Sequence, residues 1–563
     1  MNDSTVNILS LSDEILLVIY NKLNNMDVLY SLIGANRKLD RLARDVTFAQ
    51  SVDLLTILLN ESNDSRNKSI LDRFCYEISP QIQDSVDSLT ESNNSRNKSI
   101  LDRFCYDILP QIQHNIESLT LDSLLIDHVF RIGNYSKLYK LNFFNLQFEM
   151  ASRIFNDKSS FIHIFQNQIS HFTVTIHDDS KGAHRKELWT NVFTNILIIF
   201  TNLIYLNFHS QNICRFISKP FLSLPSTTCY SSNIVYLNIG VFSFDDCLCL
   251  IDGHLTQLHT FIVKVEHINN TSMTIKNPKT VSNLKCFLLT SFRRTNEYDK
   301  QILPLLHQML QLEELTLSLI VGDQTSFIDG THLVNNILNR MSYLQTFIFN
   351  IITEYVRMDE ELLPTLDDIE RPLIQRGFNV NCYTDYNEFY NGQCHIYSLP
   401  YTIDCMHIHS SLFCGGLFRT VRYLYVQEFF RPFENDFFVR IAQAFPLLNK
   451  LTILNRYKQP KLKHQQNKHE STSSIIEFSH LMILNVAMSC IDYAKQFIFD
   501  FNARLPCLNR LHIKYKDLVI VTDNFTNNDA RANCSKLQHI IFDSIPTIYP
   551  ENFYHYFPLF SIK

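Results

Sequence analysis

The amino-acid sequence predicts an α/β protein, with a three-helix module at the N-terminus followed by an irregular solenoid of helix–strand units whose strands form a parallel sheet on the concave face. Three observations lead to this prediction. A six-residue apolar pattern typical of short strands recurs fifteen times. Helical apolar spacing precedes several of these segments. The first fifty residues show helical spacing and lack the strand pattern.

The N-terminal helices are predicted first. Ser12 is a good N-cap, and Asp13 follows it in the first turn, where the helix dipole favours negative charge. Ile15, Ile19 and Leu23 then recur at helical spacing. Two further short helices follow in MDVLYSL and NRKLDRLA.

This stretch resembles an F-box from Leu9 to about Gln50, and we assign residues 1–50 to it. Ser12 and Leu39 occupy positions where that family usually has proline and tryptophan. The resemblance implies docking on the Skp adaptor of a cullin-RING ubiquitin ligase. The alternative is a helical cap that covers the end of the solenoid. The adaptor contacts that the resemblance implies are Leu11, Ile15, Ile19, Leu23, Leu29 and Leu32.

The strands follow the order apolar, two variable residues, apolar, one variable residue, apolar. Successive segments mostly begin 22 to 34 residues apart, with one gap of 59 between Leu344 and Ile403. The fifteen segments begin at Ile116, Leu138, Ile169, Leu203, Ile234, Leu258, Leu284, Leu312, Leu344, Ile403, Val421, Leu448, Leu481, Leu508 and Leu537.

Helices are predicted between these strands, for example over 333–341, 437–445 and 493–501, where apolar residues recur every three to four positions. Pro446 and Pro506 follow the last two and close them, because proline cannot continue a helix. Each unit is therefore helix, turn and strand. From 52 to 545 these units resemble leucine-rich repeats of the longer, helix-containing kind, and we assign residues 51–563 to the solenoid.

The solenoid contains a tandem duplication, in which residues 61–90 and 91–120 are identical at 23 of 30 positions. Because repeat units are stabilised by their neighbours, one whole inserted unit can add a layer without disturbing the others. We predict such a layer, with a strand from Val86. The alternative is that one copy forms a loop, since Glu91 stands where the second copy has the apolar Leu121.

Two segments interrupt the repeat. Residues 351–402 are predicted to be an irregular insertion, and the acidic part, 354–370, a solvated loop. Residues 457–473 are polar enough to be disordered.

The variable strand positions should face the open side of the sheet, because side chains alternate along a strand. Tyrosine, histidine and asparagine are frequent there, and interfaces favour aromatic over charged side chains. The candidate substrate contacts are Tyr205, His209, Tyr236, His407, His409, Tyr423, Tyr425 and Arg510.

Composition argues against several other functions. The 563-residue chain has a formal net charge of −6 and a pI of about 6.4, whereas nucleic-acid binders carry a concentrated basic surface. Residues 1–10 lack signal-peptide features, and the most apolar run is broken at Thr201 and Asn202. With fourteen cysteines read as reduced thiols, we expect a cytoplasmic or nuclear protein without a membrane partner.

No catalytic motif or cofactor-binding loop is found in the sequence, and Cys405, His407 and His409 lack an evident fourth metal ligand. We therefore expect no metal and no cofactor. The combined resemblances imply a non-catalytic adaptor that binds the Skp adaptor and the cullin ligase core at one end and a protein substrate on the repeats. The alternatives are a leucine-rich-repeat protein-binding scaffold without a ligase connection, and an enzyme site within residues 351–402.

Overall fold

The computed structural model describes a mixed α/β fold in two compact units. Unit 1 comprises Met1–Phe292 with Gln308–Glu313, and unit 2 comprises Arg293–His307 with Glu314–Lys563. The residues that the structure describes are 9, 11–44, 46–54, 103–156, 165–177, 185–210, 233–252, 255–271, 281, 283–358, 363–387, 391–428, 431–458, 475–543 and 549–560.

Unit 1 begins with helices and continues as alternating helices and strands. Its strands are β1 (Ser51–Asp53), β2 (Ser118–Asp122), β3 (Lys140–Gln147), β4 (His171–His177), β5 (Tyr205–Ser210), β6 (Tyr236–Ser243), β7 (Thr260–His267) and β8 (Cys286–Thr295), whose last three residues are assigned to unit 2. Its α-helices are α1 (Asp13–Tyr20), α2 (Asn25–Leu32), α3 (Arg37–Ala43), α4 (Val46–Ala49), α5 (Leu109–Ile112), α6 (Ile126–Ile132), α7 (Phe148–Ile154), α8 (Arg185–Ile199) and α9 (Phe244–Ile251).

The strands of unit 1 pair in parallel and in the order of the sequence, from β1 to β8. The seven predicted segments from Ile116 to Leu284 each contain a strand that begins two residues after the first apolar position. The apolar positions of these segments, such as Leu206 and Phe208 of β5, are buried. Sequence-ordered parallel pairing of helix–strand units is the arrangement expected of a repeat solenoid.

The second copy of the duplicated segment ends in β2. The first copy, 61–90, lies outside the described residues, as does 91–102 of the second. β1 pairs directly with β2, with Val52 opposite Leu119. The predicted extra layer, with its strand from Val86, falls outside the described residues and stays a prediction.

Unit 2 contains the remaining strands and helices. Its strands are β9 (Glu314–Val321), β10 (Thr346–Arg357), β11 (Asn379–Tyr386), β12 (Asn391–Leu399), β13 (Cys405–Ile408), β14 (Tyr423–Gln427), β15 (Lys450–Leu454), β16 (Ile476–Glu477), β17 (Ile483–Asn485), β18 (Ala503–Arg504), β19 (Arg510–Ile513) and β20 (His539–Phe542). Its α-helices are α10 (Leu303–Leu306), α11 (Gly330–Leu333), α12 (Leu366–Ile374), α13 (Asn435–Ala444), α14 (Ile491–Ile498), α15 (Tyr515–Val521), α16 (Arg531–Cys534) and α17 (Glu551–Tyr556).

The described strands of unit 2 belong to three sheets, of which the smallest is the parallel pair β16 and β18. In the first, β9 and β10 are parallel, and β12 and β11 continue the sheet with antiparallel pairing. The second is an all-parallel sheet of six strands in the order β13, β14, β15, β17, β19 and β20. The other eight predicted segments, from Leu312 to Leu537, also contain a strand that begins two residues after the first apolar position.

The predicted interruption at 351–402 is ordered secondary structure. It contains the end of β10, helix α12 and the antiparallel strands β11 and β12. The prediction that 354–370 is a solvated loop is wrong for its ends, because Glu354 is buried in β10 and Leu366 begins α12 behind a Thr365–Asp368 capping box. Most of the predicted disordered loop, 459–473, lies outside the described residues.

The helices of unit 2 bury the apolar positions that the sequence places at helical spacing. In α13, Phe437, Phe438 and Ile441 are buried, and Phe438 meets Phe497 of α14 edge to face, with ring centroids 4.9 Å apart. The hydroxyl of Tyr493 accepts a hydrogen bond from the backbone N–H of Phe433 at 2.9 Å. Successive helix–strand repeats of unit 2 are thus joined through one aromatic core, which holds their neighbouring strands in place.

Candidate binding surfaces

Helix α1 begins as the sequence predicts. Ser12 is its N-cap, and the Ser12 hydroxyl accepts a hydrogen bond from the backbone N–H of Ile15 at 3.5 Å. Asp13 and Glu14 occupy the first turn, and the hydrogen bond with Ser12 lowers the pKa of Glu14. A side-chain oxygen here satisfies an N–H that the helix itself leaves unbonded.

The outer face of α1 is apolar and exposed. The Ile15 side chain is 49% exposed and that of Val18 is 61% exposed, while Leu11, Ile19 and Leu23 are half-buried. Residues three and four apart share one face of a helix, so Ile15, Val18 and Ile19 lie together. We refer to Leu11, Ile15, Val18 and Ile19 as the apolar stripe. Val18 was not among the predicted contacts, although its spacing of three from Ile15 could have indicated it.

The two remaining predicted adaptor contacts lie elsewhere. Leu29 and Leu32 belong to α2 and are buried, as is Leu39 of α3, so all three form the core of the helical module. Apolar periodicity in the sequence does not distinguish exposed contact positions from buried core positions. The prediction that Leu29 and Leu32 contact the adaptor is corrected accordingly, because this fold offers neither side chain to a partner.

Polar contacts hold α1 against α3. The Lys38 ammonium donates to the backbone carbonyl of Leu11 at 2.5 Å and lies 3.5 Å from the Asp13 carboxylate. The Arg41 guanidinium pairs with the same carboxylate. Each exposed ion pair contributes little alone, typically about 0.2 to 1 kcal/mol, but together they set the direction of α1 and therefore of its apolar stripe.

The open face of the sheet in unit 1 carries stacked rings. The register places His171, Tyr205 and Tyr236 side by side on β4, β5 and β6. The rings of Tyr205 and Tyr236 stack with centroids 4.2 Å apart, and His171 stacks on Tyr205 at 5.8 Å. Burial raises the pKa of Tyr236 to about 12, so its hydroxyl stays protonated and can donate a hydrogen bond.

Of the three predicted contacts in unit 1, Tyr205 and Tyr236 are thus brought together by the strand register. The third, His209, lies in β5 opposite Thr175. Asn207 lies on β5 two residues after Tyr205, and its side-chain carbonyl is buried without a hydrogen-bond partner among the described residues. A flat aromatic row with hydroxyl and amide groups beside it suits contact with another protein.

The open face of the six-stranded sheet in unit 2 holds Tyr423, Tyr425 and Arg510, all half-buried. Tyr425 lies on β14 between His407 of β13 and Thr452 of β15. The Lys450 ammonium lies 5.7 Å from the centre of the Tyr425 ring. Sequence reasoning missed Lys450, although it occupies the same variable strand position as Arg510.

His407 and His409 do not lie on this open face as accessible residues. His407 is 8% exposed in β13, and His409 is 4% exposed just beyond the end of that strand. The His407 ring is covered by the parallel ring of Tyr425, with centroids 4.7 Å apart, and burial lowers the pKa of His407 to about 3. The prediction that both histidines contact a substrate is corrected for this reason.

A polar cluster lies inside unit 2 near the 351–402 segment, and we define it as Asn350, Glu354, Tyr383, His395 and His409. His395 Nδ1 is 2.8 Å from the Tyr383 hydroxyl, and His395 Nε2 is 2.6 Å from the Asn350 side-chain carbonyl. Glu354 Oε1 is 2.5 Å from His409 Nδ1. Burial lowers the pKa of His395 well below its usual value.

These titratable groups converge where an enzyme site was considered as an alternative. His395 is 1% exposed and Glu354 is 4% exposed, so neither solvent nor a substrate reaches them in this conformation. Their mutual hydrogen bonds join β10, β11, β12 and the residue after β13. This geometry suits a structural role, because a general base must lie within hydrogen-bond reach of its substrate.

The described residues contain no group of three or more His, Cys, Asp or Glu side chains placed to hold a metal ion, and Cys405, His407 and His409 form no such set. In the part of the chain that the structure describes, no helix combines the length and the apolarity needed to cross a bilayer.

Comparison with solved structures finds a match to a chain of the "Crystal structure of Rad7 and Elc1 complex in yeast". The match has a TM-score of 0.28 and 10% sequence identity, and it covers 70% of this chain and 94% of that chain. No family model matches the sequence. No curated protein matches it either. A likeness at this TM-score does not assign the chain to a family, so the surfaces themselves carry the functional conclusion.

Proposed function

We propose that this protein is a non-catalytic substrate receptor of a Skp–cullin–F-box ubiquitin ligase, acting in the cytoplasm or nucleus. The N-terminal helices bind the Skp adaptor, and the open faces of the strand units bind a protein substrate. The apolar stripe of α1 is the observation that carries the proposal. Ile15 and Val18 are exposed on a helix whose other face is well packed and whose direction is fixed by ion pairs.

An exposed apolar helix face is a recurrent site for partner binding. Complete burial of the exposed half of Ile15 and of Val18 would contribute roughly 1 kcal/mol each, which helps to anchor the helix against an apolar groove. The half-buried Leu11 and Ile19 extend the same stripe by one turn in each direction. The stripe therefore fits the role that the F-box resemblance assigns to this segment.

The open faces support the second half of the proposal. Tyr205 and Tyr236 are half-buried rings on the neighbouring strands β5 and β6, and Tyr423 and Tyr425 are half-buried rings on β14, all with hydroxyl groups able to donate to a partner. A receptor of this kind contributes proximity, because it raises the local concentration of substrate beside the ligase core. No step of the proposed function requires a catalytic residue or a cofactor in this chain.

The test is a pull-down of purified Skp adaptor by the full-length chain. The wild-type chain should retain the adaptor, and Ile15→Asp combined with Val18→Asp should weaken retention at least a hundredfold, because two charges enter the buried centre of the contact. Ile520→Asp is the matched control. Ile520 is 60% exposed on α15 of unit 2, so the same change there should leave retention unaltered.

Failure of the wild-type chain to retain the adaptor would overturn the ligase connection. The alternative, a protein-binding scaffold, would then account for the open faces. Equal loss of retention with Ile520→Asp would instead show that the substitutions act through general destabilisation.

A further inference from the structure

The six-stranded sheet of unit 2 carries positive charge without acidic residues in its strands. β13, β14, β15, β17, β19 and β20 contain no Asp or Glu, but they contain Lys450 and Arg510. The register aligns Lys450 with Ile483 and Ile483 with Arg510, so the two cations lie in one row with an apolar residue between them. Tyr423 precedes Lys450 in this row and His539 follows Arg510.

Neither cation is neutralised by an acidic side chain of the part of unit 2 that the structure describes. Among the described residues, the side chains of Lys450 and Arg510 form no ion pair and no hydrogen bond, and the Lys450 ammonium lies over the face of the Tyr425 ring. At one end of the row, the Asp404 carboxylate interacts electrostatically with Tyr423. The chain as a whole is acidic, with a formal net charge of −6, so the sign of this row is opposite to that of the net charge.

A buried hydroxyl beside the row also lacks a partner. Thr452 is 6% exposed, and its Oγ1 has no hydrogen-bond partner among the described residues. Thr452 lies on β15 two residues after Lys450, on the same face of the sheet, opposite Tyr425 and Asn485. An unsatisfied buried hydroxyl costs about 1 to 3 kcal/mol. Because this Oγ1 is covered, the two cations of the row, and not Thr452, supply the contacts to a ligand.

We propose that this row binds an extended segment of a protein partner that carries two acidic side chains three residues apart and crosses the strands. Neighbouring strands lie about 4.8 Å apart, so the Cα atoms of Lys450 and Arg510, two strands apart, are separated by roughly 10 Å. A polyproline-type segment advances about 3.1 Å per residue with three residues per turn, which places side chains i and i+3 on one side about 9 Å apart.

The spacing fits one acidic side chain to each cation, and the residues between them pass over Ile483. Lysine and arginine bind carboxylate and phosphate by charge-assisted hydrogen bonds, so glutamate, aspartate or a phosphorylated side chain would satisfy the same row. The inference rests on the proposed function only in identifying the segment as part of a substrate. The binding itself is a property of unit 2.

A phage-displayed library of random twelve-residue peptides selected on the full-length chain tests this inference. We expect the recovered peptides to be enriched in acidic pairs at i and i+3. As synthetic labelled peptides they should lose about tenfold in affinity with Lys450→Gln and about tenfold with Arg510→Gln, measured by fluorescence anisotropy. Phosphoserine in place of each acidic residue distinguishes a phosphorylated ligand from a carboxylate ligand, according to which binds more tightly.

Lys516→Gln is the matched control, because Lys516 is exposed on α15 and lies outside the row. Unchanged thermal melting of all three variants shows that folding is intact. Recovered peptides without acidic pairs, or affinity unaffected by both Lys450→Gln and Arg510→Gln, would overturn the inference. Ile15→Asp should not alter peptide affinity and Lys450→Gln should not alter adaptor retention, so the two proposals can fail separately.

Discussion

The carboxylate of Glu354 lies 2.5 Å from Nδ1 of His409, and both side chains are almost completely buried. Glu354 belongs to β10 of the first sheet in unit 2, whereas His409 follows β13, the first strand of the next sheet. The Gln393 amide adds a bond to the His409 carbonyl at 2.7 Å. This pair is therefore a direct link between the sheet that contains β10 and the six-stranded sheet.

Removal of one partner of this pair should destabilise unit 2. Glu354→Ala leaves the buried His409 without its acceptor, and we expect the free energy of unfolding to fall by about 3 kcal/mol. Urea denaturation of the full-length chain, followed by tyrosine fluorescence, measures the change. Glu354→Gln keeps an acceptor of the same shape and should cost clearly less. Equal effects of the two substitutions would contradict the assigned hydrogen bond.

The buried histidines should make stability depend on pH. An unfolded histidine has a pKa near 6.5, whereas burial lowers the pKa of folded His407 to about 3 and that of His395 well below its usual value. Below pH 6.5 the unfolded chain therefore binds protons that the folded chain does not, and stability falls as the pH decreases from about 6.5 towards 3.

For His407 alone this linkage should remove about 2 kcal/mol between pH 7 and pH 5. His407→Gln removes the titrating group, so the loss of stability between pH 7 and pH 5 should be smaller by about 2 kcal/mol in this variant. Urea denaturation at the two pH values measures the difference. His480→Gln, on an exposed turn, is the control. A slope unchanged by His407→Gln would show that this histidine does not titrate as assigned.

A buried amide in unit 2 holds the turn between α14 and β19. Asn533 donates to the Ala503 carbonyl at 2.7 Å and accepts from the Leu505 N–H at 3.1 Å. Asn533→Leu leaves both backbone groups unsatisfied, and the expected loss of stability is about 2 to 3 kcal/mol. The exposed Gln538→Leu serves as control. A thermal midpoint shared by wild type and Asn533→Leu would rule out this role.

A glycine sets the contact between α11 and α12. A Cβ atom at Gly330 would lie 2.4 Å from the backbone carbonyl oxygen of Ile369, so Gly330→Ala forces the helices apart. We expect a loss of about 2 kcal/mol, typical of overpacking. Thr331→Ala changes the adjacent exposed residue and should be nearly neutral. Calorimetry of the three chains compares the effects, and a neutral Gly330→Ala would contradict the close approach.

The sequence alone determined where the repeat strands lie. All fifteen predicted segments contain a strand. Apolar residues that alternate along a segment form one face of a strand, and this face is buried in the folded protein. The N-cap at Ser12 and the helix around Phe438 were also predictable, since both depend on residues within one or two turns. The candidate contacts Tyr205, Tyr236 and Tyr423 followed from the alternation along each strand.

The tertiary structure decided what local pattern cannot show, namely which side chains are covered. His407 and Leu29 were predicted as contacts but are buried, because Tyr425 covers the first and the α2–α3 packing covers the second. Strands β11 and β12 reverse the direction of the sheet through antiparallel pairing that the repeat pattern does not encode. The row of Lys450 and Arg510 exists only through register between strands sixty residues apart, because burial and adjacency are set by neighbours that are distant in sequence.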